Sequence, residues 1–260
     1  MTGHRRRPLK SVAAFFAHPD DESVLAGGMT ALLTSQGIPV NVVIATRGEG
    51  GELGEPPVVT DRSALGAVRE RELRCAAKAL GANVMLWEYV DPVIGPDDIL
   101  QPFAADFDTL TGQIASFIRQ RDVDLVLTHG GDGEYGHPAH QLVHRAVVHA
   151  VQRLAQDVLL YSVAANVPSI NDRLWNKNEL AHLAIDIRPW ASAKIQAMEC
   201  HVSQHALFKR QKKLETVAEA LRPVESVRRV LPSVGEGDMP QDAFADLLRT
   251  AGAWQPDPIT

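Results

Sequence analysis

The sequence predicts an α/β protein with a Rossmann-like three-layer fold, a mostly parallel sheet carrying helices on both faces. Two observations lead there. Short apolar runs recur along the chain, each followed by a stretch with helical spacing of its apolar residues. Parallel neighbours need crossover connections, and this alternation provides a helix for each. The 260 residues are 45% hydrophobic, enough to fill a core on both sides of a sheet, which excludes disorder throughout.

Val12 to Ala17 reads as the first strand, followed by a helix from Glu22 to Gln36. Val40 to Thr46 is the second strand. A Gly/Pro-rich loop, Arg47 to Pro57, leads to a helix over Asp61 to Leu80, with Leu73, Ala76, Ala77 and Leu80 at helical spacing and Gly81 as its stop. Val84 to Tyr89 is the third strand and Asp106 to Gln120 a helix. Val123 to Thr128 is the fourth strand, and a helix over Ala139 to Gln156 is announced by Pro138 at its first turn. Val158 to Ala164 is the fifth strand. Beyond Ala165, Leu180 to Ile187 alternates like an edge strand, and Pro189 to Cys200 and Leu207 to Leu221 read as helices. The last part, rich in Pro, Gly and Asp, is expected to wrap or fray. Without an internal repeat or a low-complexity linker, a single domain over residues 1–260 is the expectation.

Lys and Arg total 26 against 32 Asp and Glu, a formal charge of −6 and the wrong sign for binding a phosphate backbone, so no nucleic-acid partner is expected. Two distant cysteines, Cys75 and Cys200, form neither a disulfide framework nor a Cys-rich zinc site, and fit a reducing cytoplasm. The basic start His4-Arg5-Arg6-Arg7 is followed by too short an apolar stretch for a signal peptide, and no run approaches the roughly 18 to 20 apolar residues of a membrane span. A soluble protein is expected, with a homo-oligomer left open.

In open parallel sheets the functional crevice lies beyond the carboxyl ends of the strands. Two loops stand out there. Ala17-His18-Pro19-Asp20-Asp21-Glu22 follows the first strand; the segment from Thr128 through His129, Asp132, Glu134, Tyr135, His137 and His140 follows the fourth. His18 and Asp21 can chelate one ion from a turn, and His140 can arrive from the other loop as a third ligand, leaving the open position of a catalytic zinc site. A helix N-terminus favours the neutral, metal-binding form of His140. Asp20, beside a ligand but free, is the natural base for a metal-activated water. The alternative is that Asp20, Asp21 and Glu22 merely complement the dipole of a helix start.

Together these residues resemble the LmbE-like, or PIG-L, deacetylase family. The resemblance rests on Ala-His-Pro-Asp-Asp-Glu at 17–22 and Tyr-Gly-His-Pro-x-His at 135–140. It extends through Thr46-Arg47-Gly48-Glu49-Gly50-Gly51-Glu52, Arg69-Glu70-Arg71-Glu72-Leu73 and Cys200-His201-Val202-Ser203-Gln204, covering about residues 12–204. It implies a zinc-dependent hydrolase that removes an N-acyl group, usually acetyl, from an amino sugar or a GlcNAc-containing conjugate. The family's metal ligands fall on His18, Asp21 and His140 and its general base on Asp20. His137 is implied to stabilise the oxyanion or protonate the leaving amine, and Arg69, Asp91 and Tyr135 to hold the substrate. Many relatives have Asp where this chain has Ala139, so another acid such as Asp132 or Glu134 has to serve His137, or turnover or substrate differs.

Other candidates have plain structural readings beside the functional ones. Arg69 can form a structural ion pair, Tyr135 can simply pack, and His144, His149, His201 and His205 can be helix histidines. Glu49 can stabilise its own loop, while Pro56-Pro57 and Pro92 to Pro96 are candidate rims. Histidine and carboxylate ligands also suit Fe²⁺ or another divalent ion. Rival functions are an amidase of a sugar-thiol conjugate, a phosphoesterase, and a non-catalytic metal-containing sugar-binding protein.

Overall fold

The structure is a computed structural model that describes residues 8–95, 99–210, 212–235 and 237–257. The basic start at 4–7, and Pro96 of one expected rim, lie outside the described residues. Strands and helices run β1 (Val12–Phe16), α1 (Asp21–Ser35), β2 (Val40–Thr46), α2 (Leu65–Leu80), β3 (Asn83–Tyr89), α3 (Phe107–Gln120), β4 (Leu125–Thr128) and a short turn α4 (Gly133–Gly136). They continue as α5 (Pro138–Gln152), β5 (Leu159–Val163), β6 (Ala165–Asn166), β7 (Asn176–Leu180), β8 (Leu183–Asp186), α6 (Ala191–Cys200), α7 (His205–Arg210), β9 (Val224–Leu231) and α8 (Ala243–Thr250).

The main sheet has seven strands in the order β3-β2-β1-β4-β5-β9-β8. The first five are parallel, and β9 and β8 close the sheet in antiparallel register. Every residue of β1, β2 and β4 is buried, as strands with both faces covered must be. One face packs on α1 through Leu25, Met29 and Leu32, the other on α3 and α5 through Ile114, Ile118, Val143 and Val147. The chain order reverses between β1 and β4, so the loops after these two adjacent strands open into one crevice at the switch point.

Local chemistry sets the element ends. Asp106 caps α3 by accepting the Thr109 N–H at 2.8 Å, and Gly81 ends α2 in the left-handed conformation at φ 70°. Helix α1 is buried on nearly all sides, because α6 lies against the face turned from the sheet. A Cβ on Gly28 would fall 2.6 Å from Ile187 Cβ, so glycine permits that approach. The buried Lys194 of α6 donates to the Val24 carbonyl at 3.0 Å and to Glu225 of β9 at 2.6 Å. Glu225 in turn accepts the N–H groups of Gly28 and Met29 at 2.8 and 2.7 Å, tying three elements together.

The C-terminal quarter departs from expectation. Among the described residues beyond Arg222 the chain is packed rather than frayed: β9 inserts between β5 and β8, and α8 packs Phe244 edge-on against Tyr161. The expected helix over Leu207 to Leu221 is not continuous: α7 covers His205–Arg210, and among the described residues from 212 to 221 the helical structure is a single 3₁₀ turn, Ala218–Ala220. The expected strand over Leu180 to Ile187 is β8, which does lie at the sheet edge, preceded by the separate strand β7. Cys75 and Cys200 are not free thiols. Helices α2 and α6 run side by side and bring their Cα atoms to 5.7 Å in a disulfide, which a separation of 125 residues in sequence does not reveal. Among the described residues no helix is long and apolar enough to cross a membrane.

Candidate metal centre and active site

The loops after β1 and β4 meet as their strand positions require. His18 Nδ1 lies 3.3 Å from His140 Nε2 and 3.5 Å from Asp21 Oδ2, and His140 Nε2 lies 3.4 Å from Asp21 Oδ1. All three residues are buried. The far nitrogen of each imidazole faces a carboxylate, His18 Nε2 at 3.2 Å from Asp91 and His140 Nδ1 at 2.6 Å from Glu134. When those far nitrogens donate to the acids, the near nitrogens present two lone pairs to one another, an arrangement that is repulsive unless a cation lies between them.

Electrostatics lead to the same demand. Burial opposes a charge on His18, yet Asp21 and Asp91 outweigh it and push its pKa up to about 10. Burial likewise opposes ionisation of Asp21, and His140 and His129 hold its carboxyl well below the usual range. The cluster therefore retains a positive charge against desolvation, and a divalent cation can replace the proton.

Two further imidazoles stack on His140. His129 lies on one side at 3.9 Å between ring centroids and His137 on the other at 4.4 Å. His129, His140 and Asp21 can be grouped around an ion, as can His18, His137 and His140. His129 is committed elsewhere: Nε2 accepts the Ala17 N–H at 3.0 Å and Nδ1 faces Glu134 at 3.1 Å. His137 caps α5, its Nδ1 accepting the Ala139 N–H at 3.2 Å. That bond places the proton of the neutral ring on Nε2. Burial, with His140 and His18 adding to it, pushes the His137 pKa down to about 3. It is thus a neutral hydrogen-bond donor at physiological pH.

Asp20 occupies the turn at φ 115°, a conformation L-residues rarely adopt. Its N–H donates to Glu22 at 2.9 Å, and its carboxylate faces Arg69 at 3.4 Å. Burial pushes its pKa up to about 7 against the opposing pull of Arg69. Arg69 also donates to the Pro19 and Gly48 carbonyls at 2.5 and 3.0 Å. A Cβ on Gly48 or Gly51 would fall 2.2 or 2.4 Å from Nη1, so both glycines make room for the guanidinium.

Arg69 and Asp91, expected to hold substrate, are buried, Arg69 against the Asp20 turn and Asp91 against His18, and like His18 and His137 they stand just behind the residues that line the cavity. Tyr135 is half exposed and does line it. Neither acid considered for His137 serves it, since Asp132 binds Asn178 and Glu134 binds His129 and His140. Ala139 itself is buried in the core on the α3/α5 face. Glu49 accepts the Asp91 N–H at 3.2 Å. His144 Nδ1 donates to the His129 carbonyl at 2.7 Å, while His205 is half-buried and its Nε2 donates to the Glu199 carbonyl at 2.9 Å. His201 is fully buried at 2.8 Å from Glu22, behind Asp20.

Three residues carry more structural weight than the sequence reading gave them: Glu22 was weighed only as a helix-start acid, Glu134 only as a partner for His137, and His129 was named without a role. Glu134 sits at φ 61° and gathers both imidazoles, the Gly130 N–H at 3.0 Å and the Asn176 amide at 3.2 Å. Its adjacency to the Tyr-Gly-His step was the only available signal.

A cavity of about 340 Å³ opens from this cluster, with Asp20, Asp21, Tyr135 and His140 at its inner end and Leu25, Leu174, Met198 and Phe208 along its wall.

Comparison with known proteins adds a family match. Residues 13–151 match the PIG-L family, described as GlcNAc-PI de-N-acetylase. The chain is 30% identical over 237 residues to a 1D-myo-inositol 2-acetamido-2-deoxy-alpha-D-glucopyranoside deacetylase of Acidothermus cellulolyticus, covering 76% of this chain and 81% of the relative. A protein of the same name from Corynebacterium efficiens is 32% identical over 223 residues, 74% of this chain and 71% of the relative. Among solved structures, N,N'-diacetylchitobiose deacetylase of Pyrococcus horikoshii superposes with a TM-score of 0.62 at 17% identity, over 85% of this chain and 84% of that one. The 4-carboxy-2-hydroxymuconate hydratase of Pseudomonas putida does so at 0.63 and 23% identity, over 88% and 99%. At these identities the structures establish the shared fold.

Proposed function

The chain belongs to the PIG-L family of de-N-acetylases, and from that premise we propose that it is a metal-dependent hydrolase removing the N-acyl group, normally acetyl, from an amino sugar or GlcNAc-containing conjugate. The observation that carries this reading is the convergence of His18, Asp21 and His140 within 3.3 to 3.5 Å of one another. The carboxylate-backed imidazoles fit a divalent cation, with His18, Asp21 and His140 as its holders and zinc as the assignment the ligand set favours. When bound, the ion supplies Lewis acidity, lowering the pKa of a water and polarising the acyl carbonyl.

The residues of the chain account for the proton traffic. Asp20, ionisable near neutrality and at the inner end of the cavity, takes the proton of the attacking water. As the water oxygen bonds to the acyl carbon, negative charge develops on the former carbonyl oxygen. The Nε2–H of His137 faces that charge as a neutral donor, an interaction stronger in the transition state than in the bound amide. The proton on Asp20 then passes to the amine nitrogen as the C–N bond breaks, leaving a carboxylic acid, which gives up its proton to solvent, and a free amine. Glu22 and Arg69 hold Asp20 in its strained turn, while Asp91 and Glu134 fix the two imidazoles.

Metal analysis of the purified protein, with amine release from a panel of N-acetylglucosaminides, tests the proposal. One divalent ion per chain and metal-dependent release of acetate support it. Bound metal without amine release favours the sugar-binding rival, and two ions per chain favour the phosphoesterase.

A further inference from the structure

We propose that the outer cavity recognises an anionic group, a carboxylate or phosphate, carried on an apolar substituent of the substrate, with Arg173 as the specificity-determining residue. The inference rests on the deacetylase reading and names the class of conjugate it acts on. An acetyl group occupies only a small fraction of a cavity of about 340 Å³, so most of that space serves the rest of the substrate. Leu25, Leu174, Met198 and Phe208 make its wall apolar, whereas a bare sugar would call for convergent hydroxyl partners.

Three cations, Arg173, Lys212 and Arg222, line the same cavity, Arg173 and Lys212 being exposed at its outer part, and among the described residues only Arg222 is neutralised. Arg222 is ion-paired with Asp172, whose other oxygen accepts the Leu174 N–H at 2.9 Å. Among the described residues neither Arg173 nor Lys212 forms an ion pair. Arg173 instead lies with its guanidinium 5.9 Å from the centre of the Tyr135 ring, and that ring stands edge-on to His137 and His140, each at 5.7 Å. One aromatic ring therefore separates the guanidinium from the imidazoles of the reaction centre. The remaining carboxylates of the cavity, Asp20 and Asp21, lie at its inner end with the metal-holding residues, so Arg173 and Lys212 are the unpaired charges that a substituent reaching the outer part meets, and they attract an anion and fix its position. Guanidinium suits carboxylate and phosphate alike through paired N–H donors.

The test compares 4-methylphenyl, 4-carboxyphenyl and 4-phosphonophenyl N-acetylglucosaminides on the metal-loaded native protein. We expect kcat/KM about tenfold or more higher for an anionic glycoside than for the methyl one, as charge-assisted hydrogen bonds provide. The better of the two anions separates carboxylate from phosphate chemistry. In Arg173→Gln the anionic-to-neutral ratio falls to about one, and in Lys212→Gln it falls about threefold, reflecting a single screened charge. A native ratio below about twofold, or a ratio unchanged in Arg173→Gln, overturns the proposal. If no glycoside releases amine, the deacetylase reading fails and the anion site is judged by equilibrium binding of the matching glucosides. Tighter binding of an anionic glucoside by the native protein, lost in Arg173→Gln, sustains it; equal affinity overturns it.

Discussion

Asp20 and Glu134 are both carboxylates on backbone of positive φ, 115° and 61°, and both belong to loops at the carboxyl ends of adjacent strands. Their surroundings drive them in opposite directions. Burial raises Asp20 to about 7, with Arg69 pulling the other way. Burial also opposes ionisation of Glu134, but His129 and His140 outweigh it and hold the carboxyl far below its ordinary range. In the proposed mechanism the first acid exchanges a proton and the second stays an anion that orients the imidazoles of His129 and His140. Two similar groups acquire different tasks from the cations around them. The strained turns, each costing on the order of 1–3 kcal/mol, persist because dense hydrogen bonding over-determines them.

The largest effects come from removing an imidazole at the convergence point. His18→Ala and His140→Ala should each lose the bound metal and, with it, essentially all turnover; full metal occupancy in either variant, measured by elemental analysis, would break the assignment. Asp20→Asn should retain metal and substrate binding while kcat falls roughly a hundred- to ten-thousandfold, the range for a lost general base. Unchanged kcat would place the proton acceptor elsewhere. Glu134→Gln tests the other half of the pair. It should weaken metal affinity about 10- to 100-fold, as loss of a ligand's carboxylate partner does, and kcat at saturating metal should recover most of its native value. A kcat loss as deep as that of Asp20→Asn would erase the distinction between the two acids.

The same pair shows how far the sequence could be read. Asp20 was identifiable because four polar residues, His18, Asp20, Asp21 and Glu22, directly follow a fully apolar strand, and strand ends at a switch point are where ligands bind. Glu134 was not. Several acids occupy that loop, and which of them faces an imidazole depends on a backbone bend at φ 61° that no spacing encodes. Arg69 stood out as a guanidinium on an apolar helix stripe, but whether it faced sugar or backbone was decided by Gly48 and Gly51, which admit it into the turn. The parallel half of the sheet was legible because each strand is built on an apolar run, broken only by single polar residues such as Asn41, Glu88 and Ser162. Strand β9 was not, because Glu225, Arg228 and Arg229 interrupt it, and the burial of Glu225 depends on Lys194, 31 residues away. The disulfide is a tertiary fact of the same kind.

That disulfide gives the smallest and most discriminating prediction, because it touches only one side of the comparison. Cys75 lies in α2, which carries Arg69, and Cys200 ends α6 directly before His201, which contacts Glu22. Both helices support the Asp20 turn, whereas the Glu134 network is built from the β4–α5 loop and Asn176. Opening a cross-link that spans 125 residues should lower stability by about 3–5 kcal/mol through the freedom gained by the unfolded chain, measured by urea unfolding of the reduced protein or of Cys75→Ser. Metal affinity should stay within about twofold, since His18 and His140 keep their carboxylate partners Asp91 and Glu134. Any loss of activity at a temperature where the protein remains folded should appear in kcat, through Asp20, and Cys75→Ser should show it whether or not reductant is present. A fall in metal affinity with kcat preserved would mean that the two loops share one support, and the separation between the proton-exchanging acid and the anchoring acid would not hold.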